Sequence, residues 1–529
     1  MKSAVRAGCA LVLAVMLTTM AAAANKKKRD EAVTAEDVRA LRELLETQRQ
    51  ELQELRGEVM QMKAQQQQAA DALRVATEAQ QQAAAAQSSS SSQQESVAAL
   101  QSDLSDIKTN LANAAVSTQE DQKRVSGLEA TMGRFRFSGD VRVRYENFYQ
   151  QGPQDRHRER IRLRFGVQGK LNDDFSAGLF LASGAVADGN PSFRDPVSTN
   201  ETLTSFFERK TVGFDRGWIT FNPQAHKWLQ LTGGKWAYTW NRTPLSFDND
   251  LNPEGFSEKF SFDVKNSVVR NVTFNPMQIM FSESSGDNDA FAAGAAVSTR
   301  LQFGSRLTIT PSYSLLNWRN ADVVAQAASP LGGATRIINA NAQTNATRNC
   351  GAGGEVGCRV TTGSPTREFV SKFLYSDFIL DANLKTPWNR WPVHILGEYL
   401  KNLNAENKDP LASGKQDSAF FSEVSIGQTK NKNDLQFGYM FSRIEQDAVI
   451  SQFNESDNRA STNILQHRLY ALWKVRNNVT ANYTLFIGRT LDCRLQNAAK
   501  ASGFTCNTVA PFNTEPLLKR MQFDLIYAF

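Results

Sequence analysis

Residues 135–145 read "FRFSGDVRVRY". Successive side chains of a strand point to opposite sides. Phe135, Phe137, Gly139, Val141, Val143 and Tyr145 therefore share one face, and Arg136, Ser138, Asp140, Arg142 and Arg144 share the other. Residues 158–170, "RERIRLRFGVQGK", repeat the pattern, with Ile161, Leu163, Phe165 and Val167 alternating with Arg160, Arg162, Arg164 and Gln168. A face of arginines cannot pack on a second sheet. It needs water, while its opposite face needs an apolar medium. A barrel in a bilayer, with a wet interior, meets both demands.

The connections test this reading. Sixteen strands are expected near 135–149, 157–170, 175–184, 211–222, 228–237, 266–275, 277–283, 291–303, 306–317, 368–385, 391–401, 417–430, 433–446, 463–476, 478–490 and 517–529. Every second connection is short ("LNDD", "NPQAHK", "NP", "GS", "TPWNR", "NKN", "N"), and the others are longer. Outer-membrane barrels alternate tight periplasmic turns with long outside loops. An even count leaves both barrel ends in the periplasm. The mean hydropathy of −0.43 excludes a helical membrane bundle but not a barrel, whose alternating strands average to polar. The net charge of +6 over 529 residues gives no nucleic-acid signal.

The part before the barrel obeys different rules. Lys2 and Arg6, the apolar "ALVLAVMLTTM" and the small-residue "AAAAN" read as a signal peptide over residues 1–24. Residues 25–132 contain no Phe, Tyr or Trp and are rich in Gln, Ala, Glu and Arg. Leu41, Leu45, Leu52, Leu55, Val59 and Met62, with one polar gap at Gln48, and later Leu100, Leu104, Ile107 and Leu111, recur three or four apart. This seam predicts a periplasmic coiled coil, interrupted by "QQQAAAAQSSSSSQQ". It demands partner helices. The expected architecture is an all-β transmembrane barrel over 133–529, preceded by this coiled coil.

Four cysteines follow the leader, in two sequence-local pairs. In an exported chain Cys350 with Cys358 and Cys493 with Cys506 read as two loop disulfides. A zinc site is the alternative, but no His lies near and the spacings are not ligand-like. No metal or cofactor is expected.

Residues 521–529, "MQFDLIYAF", set Met521, Phe523, Leu525, Tyr527 and Phe529 on one face and Gln522 and Asp524 on the other. This strand is expected to close the barrel on the first one, apolar face to lipid. Together with "FRFSGDVRVRYENF" at the first strand and "DNDLNPEG" after the fifth, it resembles the putative porins of Gram-negative outer membranes, over about 133–529. The resemblance implies a porin with lipid and lipopolysaccharide around it and a homotrimeric assembly. It also implies a membrane-insertion signal (Phe523, Tyr527, Phe529) read by the barrel assembly machinery. It further implies a third outside loop folded into the lumen, here 238–265, opposite a basic wall. That loop carries Asp248, Asp250, Glu254 and Glu258, and the strand phasing puts Arg136, Arg142, Arg144, Arg160, Arg162 and Arg164 in the lumen. Acids facing bases across a water path make a transverse field that orders polar solutes. Local pairing of the arginines with Asp140 or Glu146 is the competing arrangement.

No enzyme is expected, since His157, His226, His394 and His467 are scattered and no Ser or Cys lies in a nucleophile motif. Two functions remain: passive diffusion of small polar solutes or ions, with an anion preference from the arginines, or a structural envelope protein whose coiled coil reaches toward the peptidoglycan.

Overall fold

A computed structural model describes residues 133–529 apart from 185–194, 204–205, 286–287, 330, 332–337, 339–342, 352, 356, 360–363, 407–413 and 497–514; before residue 133 it describes only Arg74, Val75, Thr77 and Lys108, all helical. The chain divides into two units, Met1–Ala130 and Thr131–Phe529. The signal peptide and the coiled-coil seam lie outside the described residues.

The second unit is built from β1 (Phe135–Tyr149), β2 (Arg156–Lys170), β3 (Phe175–Ser183), β4 (Glu201–Thr202), β5 (Val212–Phe221), β6 (Leu229–Lys235), β7 (Glu254–Asp263), β8 (Val269–Ser282), β9 (Ala290–Phe303) and β10 (Leu307–Arg319). A short helix α1 (Asp322–Ala327) follows, then β11 (Thr347–Cys350), β12 (Thr366–Phe369), β13 (Leu374–Leu384), β14 (Val393–Asn402), β15 (Ser418–Gly427), β16 (Leu435–Ile444), β17 (Ile464–Arg476), β18 (Val479–Thr490) and β19 (Leu518–Ala528). Sixteen of these strands form one closed antiparallel barrel, because β19 pairs back onto β1 from Asp140↔Ala528 to Tyr149↔Lys519. The two-residue β4 lies on β2, and β11 pairs with β12 in a separate hairpin.

Alternation explains the closure. Val143, Tyr145, Leu163, Phe165, Phe523, Leu525 and Tyr527 stand exposed on the outer surface, while Arg142, Arg144, Glu146, Arg162, Gln522 and Asp524 are buried inside. At the seam Gly139 and Phe529 exchange both backbone hydrogen bonds at 3.0 Å, and the Phe529 ring covers Gly139. A Cβ at Gly139 would lie 2.2 Å from the Arg164 carbonyl oxygen and 2.8 Å from that ring, so only glycine fits.

The strand count matches the sequence reading, but two of its parts do not. The proline expected to mark a turn in "NP" lies inside β8, where Pro276 pairs with Ala295. The expected strands 266–275 and 277–283 are one strand, and β7 lies where a loop was expected. The two errors cancel in the total. Pro276 is tolerated because the β7–β8 ladder skips from Ser257↔Met277 to Phe260↔Phe274, leaving its missing N–H without a duty. The Asn275 side chain fills the gap, donating to the Glu258 carbonyl at 3.2 Å and the Ser257 hydroxyl at 2.8 Å. The turn itself falls at 264–268, so short connections still alternate with long ones around the barrel.

The interior is not uniform. Trp240, Leu245 and Phe247 from the connection 236–253, and Ala448, Val449 and Ile450 from the connection 445–463, bury an apolar cluster against Met277, Ile279, Leu316, Trp318, Tyr375, Leu400 and Phe421 of the β8–β15 wall. The long connections thus fold inward and fill that half of the barrel. The β19–β1–β2 wall is left ionic.

Candidate functional site

The ionic wall follows from register. β1 and β2 place Arg142 opposite Arg162, Arg144 opposite Arg160 and Glu146 opposite Arg158. Two like-charged pairs directly across a ladder destabilise it unless carboxylates intervene, and they do. Arg144 donates to Asp524 on β19 at 2.6 Å and to Asp457 of the connection 445–463 at 2.9 Å. Arg162 and Arg164 share Asp140, at 2.8 and 2.7 Å. Glu146 accepts from Arg158 at 2.7 Å, from Arg520 at 2.8 Å, from Arg144 at 3.3 Å and from Gln522 at 3.1 Å. Arg520 also reaches Asp457 at 2.7 Å. Arg142 bonds the Asn200 side chain, and Arg160 donates to the Asn200 carbonyl at 3.1 Å.

The expected basic wall therefore exists in position, but local pairing dominates it. Arg136 is the exception, exposed near the start of β1. Sequence phasing left out Arg158 and Arg520, although both lie within the expected strands 157–170 and 517–529 and share their inward phase. Asp457 had no signal, since nothing in a loop's sequence says which wall it will reach.

The third long connection is 236–253, and it does cross the lumen. Its Asn241 donates to Ser312 on β10 at 2.6 Å, and its Thr243 hydrogen-bonds Glu398 on β14. The four acids expected on it part company. Asp250 alone faces the basic wall, accepting from Arg164 at 3.3 Å and from Thr199 at 2.5 Å. Asp248 turns the other way and accepts from the Ser456 backbone N–H at 2.7 Å, while its own N–H donates to the Phe453 carbonyl at 2.9 Å. Glu254 and Glu258 are not in the loop at all, because β7 begins at Glu254. Glu254 is an exposed partner of Lys235 at 2.6 Å. Glu258 has the outward phase of Phe256 and Phe262 and accepts from Gln278 at 3.3 Å.

Burial, then the charges of Glu455 and Asp250, push the Asp248 carboxyl well above its ordinary range. Burial and the nearby Asp457 push Glu455 up to about 7. Burial acts the same way on Asp457, but Arg144, Arg520 and Arg142 override it and hold that carboxyl well below its ordinary range. One loop thus carries an ionised anchor on the basic wall and, two residues away, an acid that favours its neutral form.

Cys350 and Cys358 are joined in a disulfide, with Cα atoms 5.7 Å apart, tying the end of β11 to the segment that follows. Cys493 is disulfide-bonded, and Cys506 lies outside the described residues. The aromatics of β19 face outward, where Tyr483 packs on Phe523 at 4.9 Å between ring centroids. Trp473 is exposed on β17.

A closed antiparallel barrel with an apolar outer surface, a charged interior and inward-folded loops defines the class of outer-membrane β-barrels. The chain resembles the family described as putative porin, whose model matches residues 149–280, from the end of β1 into β8. No curated protein matches the chain. Among solved structures it is similar to OprB of Pseudomonas putida, at 10% identity and a TM-score of 0.44, over 76% of this chain and 96% of that one. It is also similar to OmpF of Salmonella typhi in complex with daunomycin, at 8% identity and a TM-score of 0.39, over 75% and 97%. The trimer form of OmpT of Vibrio cholerae matches at 11% identity and a TM-score of 0.37, over 75% and 99%.

Proposed function

We propose that the chain is an outer-membrane porin and a passive conduit, not an enzyme: small polar solutes and ions pass along the ionic β19–β1–β2 wall, past the inward-folded 236–253 loop. The observation that carries this is the division of the interior. Loops cover one wall with an apolar cluster, so water and solute have their best partners on the other. There the guanidiniums of Arg142, Arg144, Arg158, Arg160, Arg162, Arg164 and Arg520 meet the carboxylates of Asp140, Glu146, Asp195, Asp250, Asp457 and Asp524. Interleaved charges give a field across the path, and the small basic excess gives a modest preference for anions. Salt weakens that preference, since charges in a wet lumen are screened within roughly 10 Å at 0.1 M.

The test is conductance and reversal potential of the purified protein in planar bilayers under a KCl gradient. Conductance proportional to salt, with a small anion-side potential, is expected. Replacing Arg142 and Arg162 with Ala should move the potential toward cations. A silent barrel, or a potential unmoved by the double variant, defeats this reading and favours a structural role.

A homotrimer belongs to the same proposal. The Glu258–Gln278 pair lies on the outer surface amid Phe256, Phe274 and Met280, and a carboxylate facing lipid is costly. A neighbouring copy would cover it. Light scattering in detergent should give three chains per particle, and Glu258→Arg should shift the population toward one. A monomeric natural protein excludes the assembly.

A further inference from the structure

At the barrel end that carries the long connections, the outward-facing surface from β10 round to β19 is cationic. Arg319 closes β10 and Lys372 stands just before β13. Lys401, Arg443 and Arg489 lie near the ends of β14, β16 and β18, and Lys519 near the start of β19. Alternation fixes the direction of the strand residues. Leu315, Tyr399, Tyr439 and Phe523 are exposed on the outer surface, and each is an even number of residues from the cation on its strand. Tyr483, which packs on Phe523, stands in the same relation to Arg489. At the short-connection end of the same arc the outward positions are Leu384, Ile426, Leu435, Trp473 and Tyr527, all exposed and none charged. Basic residues on that side, such as Lys430 and Lys432, belong to a turn beyond the strands.

The belt is only partly neutralised from within. Arg443 meets Glu445 at 2.9 Å and Lys401 meets Asp417 at 3.6 Å, while Arg319, Lys372, Arg489 and Lys519 make no ion pair among the described residues. The register sets Arg443 and Arg489 on either side of Leu465, at one level. Two strand spacings separate them, roughly 10 Å. Lys519 stands opposite Ile487, one diagonal from Arg489. A single cation at a strand end needs only water, and its stem lets it reach there. Several at one level repel each other within about a screening length, and a shared anion relieves them. A row confined to one end of the apolar band matches a leaflet whose head groups carry negative charge.

From this we infer that the belt is a docking surface for a phosphorylated, acylated glycolipid of the outer leaflet, with its phosphates held by Arg443, Arg489 and Lys519. Its acyl chains lie along the exposed Phe437, Tyr439 and Leu469 beneath. The inference rests on the outer-membrane placement and not on an open pore. The belt leaves out β7 and β8, whose Glu258–Gln278 pair would meet a neighbouring copy.

The probes are hexa-acylated lipid A with both phosphates and the same lipid with both removed. Each is titrated into the full-length protein in detergent, and bound copies are counted by native mass spectrometry. The phosphorylated lipid should bind at least about tenfold more tightly, and added salt should narrow the gap. Each cation near an anionic surface contributes about fivefold in affinity. Arg443→Gln with Arg489→Gln should therefore weaken the phosphorylated lipid about ten- to thirtyfold and leave the other within twofold. Lys430→Gln with Lys432→Gln removes the same charge from the opposite end and should leave both within twofold. Circular dichroism confirms that each variant keeps its strand content. Equal binding of the two lipids overturns the proposal, as does a belt variant that binds like the natural protein. Equal losses in the belt and turn variants also overturn it, since net charge alone would then account for binding. Bilayer conductance judges the conduit separately: a silent barrel that passes these tests keeps the lipid surface and loses the pore.

Discussion

Glu146 shows what a single residue does on the ionic wall. It is wholly buried on β1, yet it takes charge-assisted hydrogen bonds from three strands, through Arg144 on its own strand, Arg158 on β2 and Arg520 on β19. Its carboxylate is the group all three guanidiniums share, with Asp457 also holding Arg144 and Arg520. Glu146→Gln keeps the shape and removes the charge, leaving three cations around a neutral amide. Breaking such a buried set costs roughly 3–5 kcal/mol. A clear fall in the thermal unfolding midpoint in detergent is expected, while Glu254→Gln, at an exposed pair, should cost under about 1 kcal/mol. Equal midpoints for the two variants would show that the wall is hydrated enough to tolerate the loss. In the sequence Glu146 was legible as a local partner for the arginines, from phase alone. That three arginines would reach it was not, because two of them arrive from other strands in a register the sequence does not state.

At the scale of elements, the informative pair is the 236–253 loop and the 445–463 loop. Asp248 joins them by two hydrogen bonds, next to Glu455, which interacts with Asn249 at 3.4 Å. Both carboxyls are raised by burial, so each favours its neutral form in the folded protein. A raised carboxyl stabilises the joined loops fully below the ordinary carboxylate range, and that stabilisation is lost as the pH climbs through the folded value. For Glu455 the loss spans roughly pH 4.5 to 7. Spontaneous closures and flickers of the channel should thus be several-fold fewer at pH 5 than at pH 8, and Glu455→Gln should flatten the dependence. Single-channel recording at the two pH values is the check, and the same flicker rate in both contradicts the coupling. The loop itself was legible as the third long connection, through its position between strands. Its end was misplaced because β7, "EGFSEKFSFD", mixes acids into its alternation and so reads like a loop. Phe256, Phe260 and Phe262 held the strand signal. The NP pair drew the turn away from 264–268, since a proline's cost in a ladder depends on whether the neighbouring strand needed its N–H.

For the whole molecule, the closed hydrogen-bonded ring has no free edge among its sixteen strands. Unheated protein in dodecyl sulfate should therefore stay compact and migrate differently from boiled protein; identical migration would mean an open sheet. The barrel was legible from sequence because its two signals, period-two alternation and alternating connection length, are repeated many times over and survive single errors. The apolar filling of one half was not, because the residues that form it, such as Leu245 and the short run Ala448–Ile450, lie in otherwise polar loops and meet only after the ring has formed. The Arg144–Asp524 pair joins residues 380 positions apart. Almost every other rung of the ladder links neighbours in sequence, so hairpins can form early and cheaply, whereas this seam must wait for the most remote encounter in the chain. Until then the β1 edge and its arginines stand open, and their own charge repels a second copy that would otherwise pair there. The inward-facing arginines of β1 are thus expected to act earlier as well, as guards against misassembly during folding.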